Sequence, residues 1–206
     1  MIILNFTDSS GNGYTYTNNN VSFNNTVNKK GTHCAYFNGA TPSSLTSNQS
    51  INLGATSAVS FVCWFRFDDA ANYAKIFSFI NVPAGVVTNG CYLGRNGTTN
   101  NLQFRVYNGT TSINSYITNF TITTGVMYHM CFVHLSTGVQ KAYINGALTQ
   151  SFSGSWVMDN VSTIWNYVGK SSYTGDGKFS GYIDDFRVYN REITLSEVQQ
   201  IIIHIH

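Results

Sequence analysis

The 206-residue sequence predicts an all-β protein in which two antiparallel sheets pack face to face, with one short helix at the C-terminal end. Three observations carry that expectation. Short runs rich in β-branched and aromatic residues recur along the chain, separated by Gly/Asn turns. Only two prolines occur, Pro42 and Pro83. One segment alone, close to the C-terminus, carries a good helix-start signal.

Taken in order, strands are expected at residues 2–7, 33–37, 60–67 and 74–80 in the first half of the chain. The second half continues with residues 91–94, 102–107, 115–120, 127–135, 140–144, 163–168 and 181–189. This even spacing suits two stacked sheets. The clearest hairpin is V-Q-K-A-Y-I-N-G-A-L, where Asn145-Gly146 supplies the two positive-φ residues of a type I′ turn. A further turn at Ser136-Thr137-Gly138 makes residues 127–149 a three-stranded meander. Trp64 and Trp165, set within strand runs, are assigned to the core. In T-L-S-E-V-Q-Q-I, Thr194 caps a helix and Glu197, three residues on, returns the bond as a capping box. No repeat, linker or composition break divides the chain, so residues 1–206 read as one domain. A chain of this length buries roughly 70% of its unfolded surface and needs neither disulfide nor metal to possess a core.

Charged residues make up 10% of the sequence, and Asn, Ser, Thr and Gly supply the polarity instead. The net charge is +2 and no Lys/Arg run exceeds Lys29-Lys30, which argues against nucleic acid and acidic membranes as partners. The opening M-I-I-L-N-F-T-D turns polar after four residues, and nothing later approaches the length of a spanning helix. Neither a signal peptide nor an anchor is recognised, and localisation stays open. The closing I-I-I-H-I-H, with His204 and His206, reads as a tail, a truncation point or a tag remnant.

Cys34, Cys63, Cys91 and Cys131 allow two disulfides, but three of them lie inside apolar runs (C-A-Y-F, F-V-C-W-F, M-C-F-V), which favours buried free thiols. Eight N-x-S/T sequons occur, as chance produces in a chain so rich in these residues.

The segment G-Y-I-D-D-F-R-V-Y-N-R-E-I-T-L-S-E-V from Gly181 resembles the C-terminal signature of laminin G-like, concanavalin A-like jelly-roll domains. L-N-F-T-D-S-S-G-N-G, C-A-Y-F-N-G and M-Y-H-M-C-F-V-H followed by A-Y-I-N-G resemble three further family segments in the expected order. Met127 stands where the family usually has Trp, and Asn38 and Asn145 stand where Asp is common. The resemblance implies a jelly-roll sandwich, and a superfamily that includes laminarinase-like glycosidases, lectins and pentraxin-like modules; fold alone does not choose among them.

Catalysis of the glycosidase type needs two facing carboxylates, which the laminarinase-like relatives take from one E-x-D-x-E strand. This chain has no such strand, and its two glutamates, Glu192 and Glu197, lie in the terminal segment. Asp68-Asp69 are adjacent, so an extended backbone points them apart. His129 and His134 are five apart on one strand, on opposite faces, and read as structural. The protein is therefore expected not to be an enzyme.

Parity along the last strand puts Asp184 with Phe186 and Val188 on the inward face, and Ile183, Asp185, Arg187 and Tyr189 on the other. An inward carboxylate needs either a cation or several N–H donors, and both readings stand. The resemblance implies a structural Ca²⁺ held by Asp184, a main-chain oxygen of Asn38 or Gly39, and Asp8 or Asn12.

The leading functional expectation is a non-catalytic, lectin-like carbohydrate-binding module whose partner is a glycan or glycoprotein. Its candidate contacts are the loop aromatics Trp156 and Tyr173 with Asp159 and Asp176 nearby, Asn72-Tyr73, and Arg95-Asn96. The alternative is a structural or adhesion module of a virion or other surface assembly, packing against further copies or capsid proteins.

Overall fold

The computed structural model describes residues 2–3, 7–8, 10–25, 27–41, 43–53, 58–81, 86–109, 111–154 and 162–203. The first strands are β1 (Ile2–Ile3), β2 (Thr7–Asp8), β3 (Thr17–Asn19), β4 (Ser22–Asn24), β5 (Cys34–Asn38), β6 (Ser44–Ser47) and β7 (Ile51–Asn52). Longer strands follow: β8 (Val59–Phe67), β9 (Lys75–Asn81), β10 (Asn89–Arg95), β11 (Leu102–Asn108), β12 (Thr111–Ile117) and β13 (Tyr128–His134). The chain closes with β14 (Gln140–Ile144), β15 (Ala147–Phe152), β16 (Ser162–Thr163), β17 (Asn166–Val168), β18 (Ser180–Tyr189) and α1 (Leu195–Ile203).

Two seven-stranded antiparallel sheets form the sandwich, in the orders β12-β11-β10-β9-β17-β6-β3 and β15-β14-β13-β8-β18-β5-β4. Each recruits strands far apart in sequence, the jelly-roll arrangement that the resemblance implies. The core between them is filled by phenylalanine. Phe61, Phe65 and Phe67 of β8 alternate toward Phe77 and Phe79 of β9; Phe61 stacks on Phe77 at 4.6 Å and Phe104 on Phe132 at 4.0 Å. Each such ring contributes roughly 1.5–3 kcal/mol by leaving water.

The meander stands as expected in β13-β14-β15, and its type I′ turn has Asn145 at φ 50° and Gly146 at φ 82°. The capping box also forms: the Thr194 amide donates to Glu197 Oε2 at 2.8 Å and the Glu197 amide to Thr194 Oγ1 at 3.3 Å. Helix α1 then lays Val198 over Val62, Cys131, Val133 and Tyr143, covering part of the second sheet's outer face. All four cysteines are buried and free, which closes the disulfide alternative. Burial lifts the Cys34 thiol to about 11 and that of Cys131 to about 12.

Three expectations are corrected. The first strand is a small hairpin, β1 paired with β2, with residues 4–6 outside the described set. The expected strand at 163–168 is broken: β16 ends at Thr163, and Ile164 and Trp165 turn outward at 46% and 41% exposure before β17 begins. Trp165 is therefore a surface residue. Asn166 explains why, because it is the residue that enters the interior. Its Nδ2 donates to the Gln49 carbonyl at 2.7 Å while its Oδ1 accepts from Thr163 Oγ1 at 2.6 Å. That fixes the flanking rings on the opposite side.

The third correction concerns β18. Asp184 pairs with Trp64 of β8 and Arg187 with Val62, so three steps on one strand match two on the other. This is a β-bulge, and Asp185 carries it at φ 48°. The extra residue reverses the parity: Ile183 and Phe186 join the central core, whereas Asp184 sits on the far side of the sheet beside Trp64. Trp64 is buried as expected, but edge-on to His129 and beneath Lys29 rather than between the sheets.

Candidate functional site

On the first sheet, Leu45, Phe77, Phe79 and Val168 point into the core, so their strand neighbours Thr46, Ser78 and Tyr167 occupy the outer face. That face carries two features joined by the segment between β17 and β18.

The first is an open groove of about 380 Å³ over β3, β6 and β17. Its wall is aromatic: Trp165 and Tyr167 lie 6.5 Å apart with their planes at 28°. Amides and hydroxyls from Thr17, Asn19, Ser43, Ser44, Thr46 and Asn48 line the rest, together with Lys170 and Lys178. Internal bonds pre-position several of these groups. Asn19 Nδ2 donates to Thr46 Oγ1 at 2.9 Å and to the Ser44 carbonyl at 3.3 Å. The Lys170 ammonium stands 4.3 Å over the Tyr167 ring. Its pKa is lowered, first by burial and then by the neighbouring Lys178. Gly169 packs so closely on Phe37 that a Cβ there would come within 2.2 Å of the ring, at a φ of 74°.

The second feature gathers four of the sequence candidates around Lys75. This lysine is 1% exposed; its Nζ pairs with Asp176 Oδ2 at 3.1 Å, donates to the Tyr73 carbonyl and lies 4.6 Å from the Tyr92 ring. Burial lowers its pKa and Asp176 opposes that shift. Asp176 also accepts from Ser171 Oγ at 2.5 Å, the hydroxyls of Tyr173 and Tyr107 bond one another, and the Asn72 carbonyl accepts from the Gly177 amide at 2.7 Å. Tyr73, Tyr173, Asp176 and Asn72 are thus together, as a lysine-centred cluster whose polar groups are largely engaged internally.

The remaining candidates lie elsewhere. Arg95 is buried over the Phe67 ring and donates to Thr99 and Asn100, while Asn96 closes the same loop through its main chain. That arginine ties the 95–101 loop together. Trp156 and Asp159 fall outside the described residues, as do His204 and His206. The sequence candidates missed Trp165 and Tyr167; two aromatics at i, i+2 flanking an Asn were the available signal.

Among the described side chains, those that the resemblance assigned to calcium are not brought together. Asn38 pairs with Ser180 at the start of β18, four residues from Asp184, and a Cβ on Gly39 would meet Ser180. Asn12 lies in an exposed loop bonded to Ser10; of Asp8 only the backbone is described. Asp184 instead accepts the amides of Lys29, Lys30 and Asp185 at 2.6, 2.9 and 2.8 Å. Three N–H dipoles aimed at one carboxylate satisfy it without a cation, so Asp184 as described does not need the ion. Asp185, freed from the strand by the bulge, forms a two-pronged pair with Arg187 at 2.7 and 2.9 Å. Both glutamates also hold structural positions, Glu192 with Lys141 and Glu197 with Arg191 and the helix start. No carboxylate lines the groove among the described residues.

Comparison with known proteins gives a family-model match over residues 37–199, to the concanavalin A-like lectin/glucanases superfamily. No curated protein matches the chain. Among solved structures, the binding domain of botulinum neurotoxin serotype G superposes with a TM-score of 0.74 at 21% identity, over 95% of this chain and 47% of that one. The binding domain of Paraclostridial Mosquitocidal Protein 1 gives 0.73 at 18%, over 95% and 48%. The chain thus spans about half the length of those toxin domains. Domain 4 of AbnA, an extracellular arabinanase from Geobacillus stearothermophilus solved in complex with arabinotriose, gives 0.68 at 21%, over 95% of this chain and 92% of that one.

Proposed function

Because the chain belongs to the concanavalin A-like lectin/glucanase superfamily, in which binding and hydrolysis share one scaffold, we propose from its groove that it is a non-catalytic carbohydrate-binding module. The observation that carries this reading is the Trp165–Tyr167 wall facing a floor of Asn, Ser and Thr side chains. An exposed ring offers an apolar face to the C–H surface of a sugar, and the amides and hydroxyls match its hydroxyls in both donor and acceptor capacity. Retaining or inverting hydrolysis needs a carboxylate pair flanking the bond, and the described lining supplies neither member. The arabinanase domain, a non-toxin relative in fold matched over nearly its whole length and solved with arabinotriose, supports a saccharide ligand.

A glycan array probed with the wild-type domain and with Trp165→Ala tests the proposal. Wild type is expected to retain a defined set of glycans, and the variant to lose about tenfold or more in affinity, as truncating a central aromatic contact does. An array blank for wild type, or one indifferent to the substitution, contradicts it.

A further inference from the structure

We infer that the groove selects anionic saccharides, those bearing a carboxylate or sulfate, over their neutral counterparts; this rests on the carbohydrate-binding reading above. The starting observation is a charge imbalance. Lys170 and Lys178 both line the groove, and no Asp or Glu does so among the described residues. Among the described residues neither lysine forms an ion pair, although five other cationic side chains, Arg66, Lys75, Lys141, Arg187 and Arg191, each hold a carboxylate. Two of the chain's 11 Lys and Arg thus stand together in one groove.

Lys178 stands close enough to disfavour the charge on Lys170, whose pKa is lowered first by burial and then by that neighbour. Like charges held together without a counter-ion are relieved when an anion enters between them. Asp176, the carboxylate of the neighbouring cluster, is already paired with Lys75 and bonded to Ser171. The aromatic wall stands next to the ammonium, with Lys170 over Tyr167 and Tyr167 stacked on Trp165. A sugar ring laid on Trp165 therefore brings its acidic substituent toward the lysines, so the same ligand uses both features.

Titration calorimetry with matched pairs tests the inference: a sialylated trisaccharide against its desialylated disaccharide, and a sulfated disaccharide against its desulfated form. The anionic member of at least one pair is expected to bind tighter, with an advantage that shrinks as sodium chloride is raised. Lys170→Gln and Lys178→Gln should each weaken the anionic ligand about two- to fivefold more than its neutral partner, while Lys→Arg at either position restores the preference. Neutral glycans that bind as well as or better than their anionic partners, in a Trp165-dependent way, overturn the inference and leave the carbohydrate reading standing. Binding of anionic probes that ignores Trp165 and is matched by inorganic sulfate alone overturns it too, as simple ion attraction. No saccharide bound by wild type overturns both.

Discussion

Asp184 and Asp185 are neighbours with different partners, and one left-handed backbone conformation separates their roles. Asp184 holds the 29–30 segment against the second sheet through main-chain amides; Asp185 holds Arg187, itself also bonded to Tyr189. The Asp185 carboxylate is 4% exposed and the Arg187 side chain 17%. Removing one member of such a pair leaves a charge without compensation, so Asp185→Ala is expected to cost roughly 3 kcal/mol in urea unfolding. Gly169→Ala is expected to cost at least about 2 kcal/mol, because its Cβ would meet the Phe37 ring at an unfavourable φ. Phe37→Leu should recover part of that loss by relieving the contact but not the backbone. Trp165→Ala, at an exposed position, should leave stability within about 0.5 kcal/mol of wild type, which makes it a clean probe of binding.

Elements differed in how far the sequence revealed them. The β13–β15 meander was legible because Asn145-Gly146 and the alternation around it are local signals, and so was α1, whose capping box lies within four residues. Thr194→Ala should cost about 1 kcal/mol by removing that cap, read as a lowered thermal midpoint. The bulge in β18 was not legible. It is defined by pairing with β8, a partner more than a hundred residues away, and a single inserted residue exchanges the faces of everything beyond it. Strict alternation without the bulge therefore predicts Asp184 inward with Phe186. The broken strand at 163–168 was hidden for a related reason, since the buried bonds of Asn166 reach Gln49, 117 positions earlier. Strands β3, β4 and β6, short and polar, carried too little apolar alternation to be recognised, and two of them floor the groove.

At the scale of the whole molecule, the groove is assembled from segments around residues 17–19, 40–48, 165–170 and 178, so no contiguous motif announces it. Fold class and family followed from patterns spread along the chain; the site depended on which strands became neighbours. Stability should carry a histidine signature. His129 is buried beside Trp64, and burial, with Arg187 and Lys30 nearby, lowers its pKa from 6.5 to about 4. Between those values the unfolded chain binds the proton and the folded protein does not. This contribution is therefore complete above pH ~6.5 and lost as pH falls toward ~4, up to about 3 kcal/mol. Asp184 and Asp185, raised by burial, act in the opposite sense, destabilising as pH rises beyond the ordinary carboxylate range. The difference between wild type and His129→Phe across a pH series isolates the histidine term, and parallel curves for the two proteins would refute it.

The central claim is that the Trp165 wall is where a saccharide binds. The most direct measurement follows the three tryptophan indole N–H resonances, from Trp64, Trp156 and Trp165, in proton–nitrogen correlation spectra while the tightest-binding saccharide is titrated in. The Trp165 indole is expected to shift with ligand to saturation, while that of Trp64, buried under Lys29 on the other sheet, stays in place. A saturated complex in which the Trp165 resonance has not moved would contradict the account.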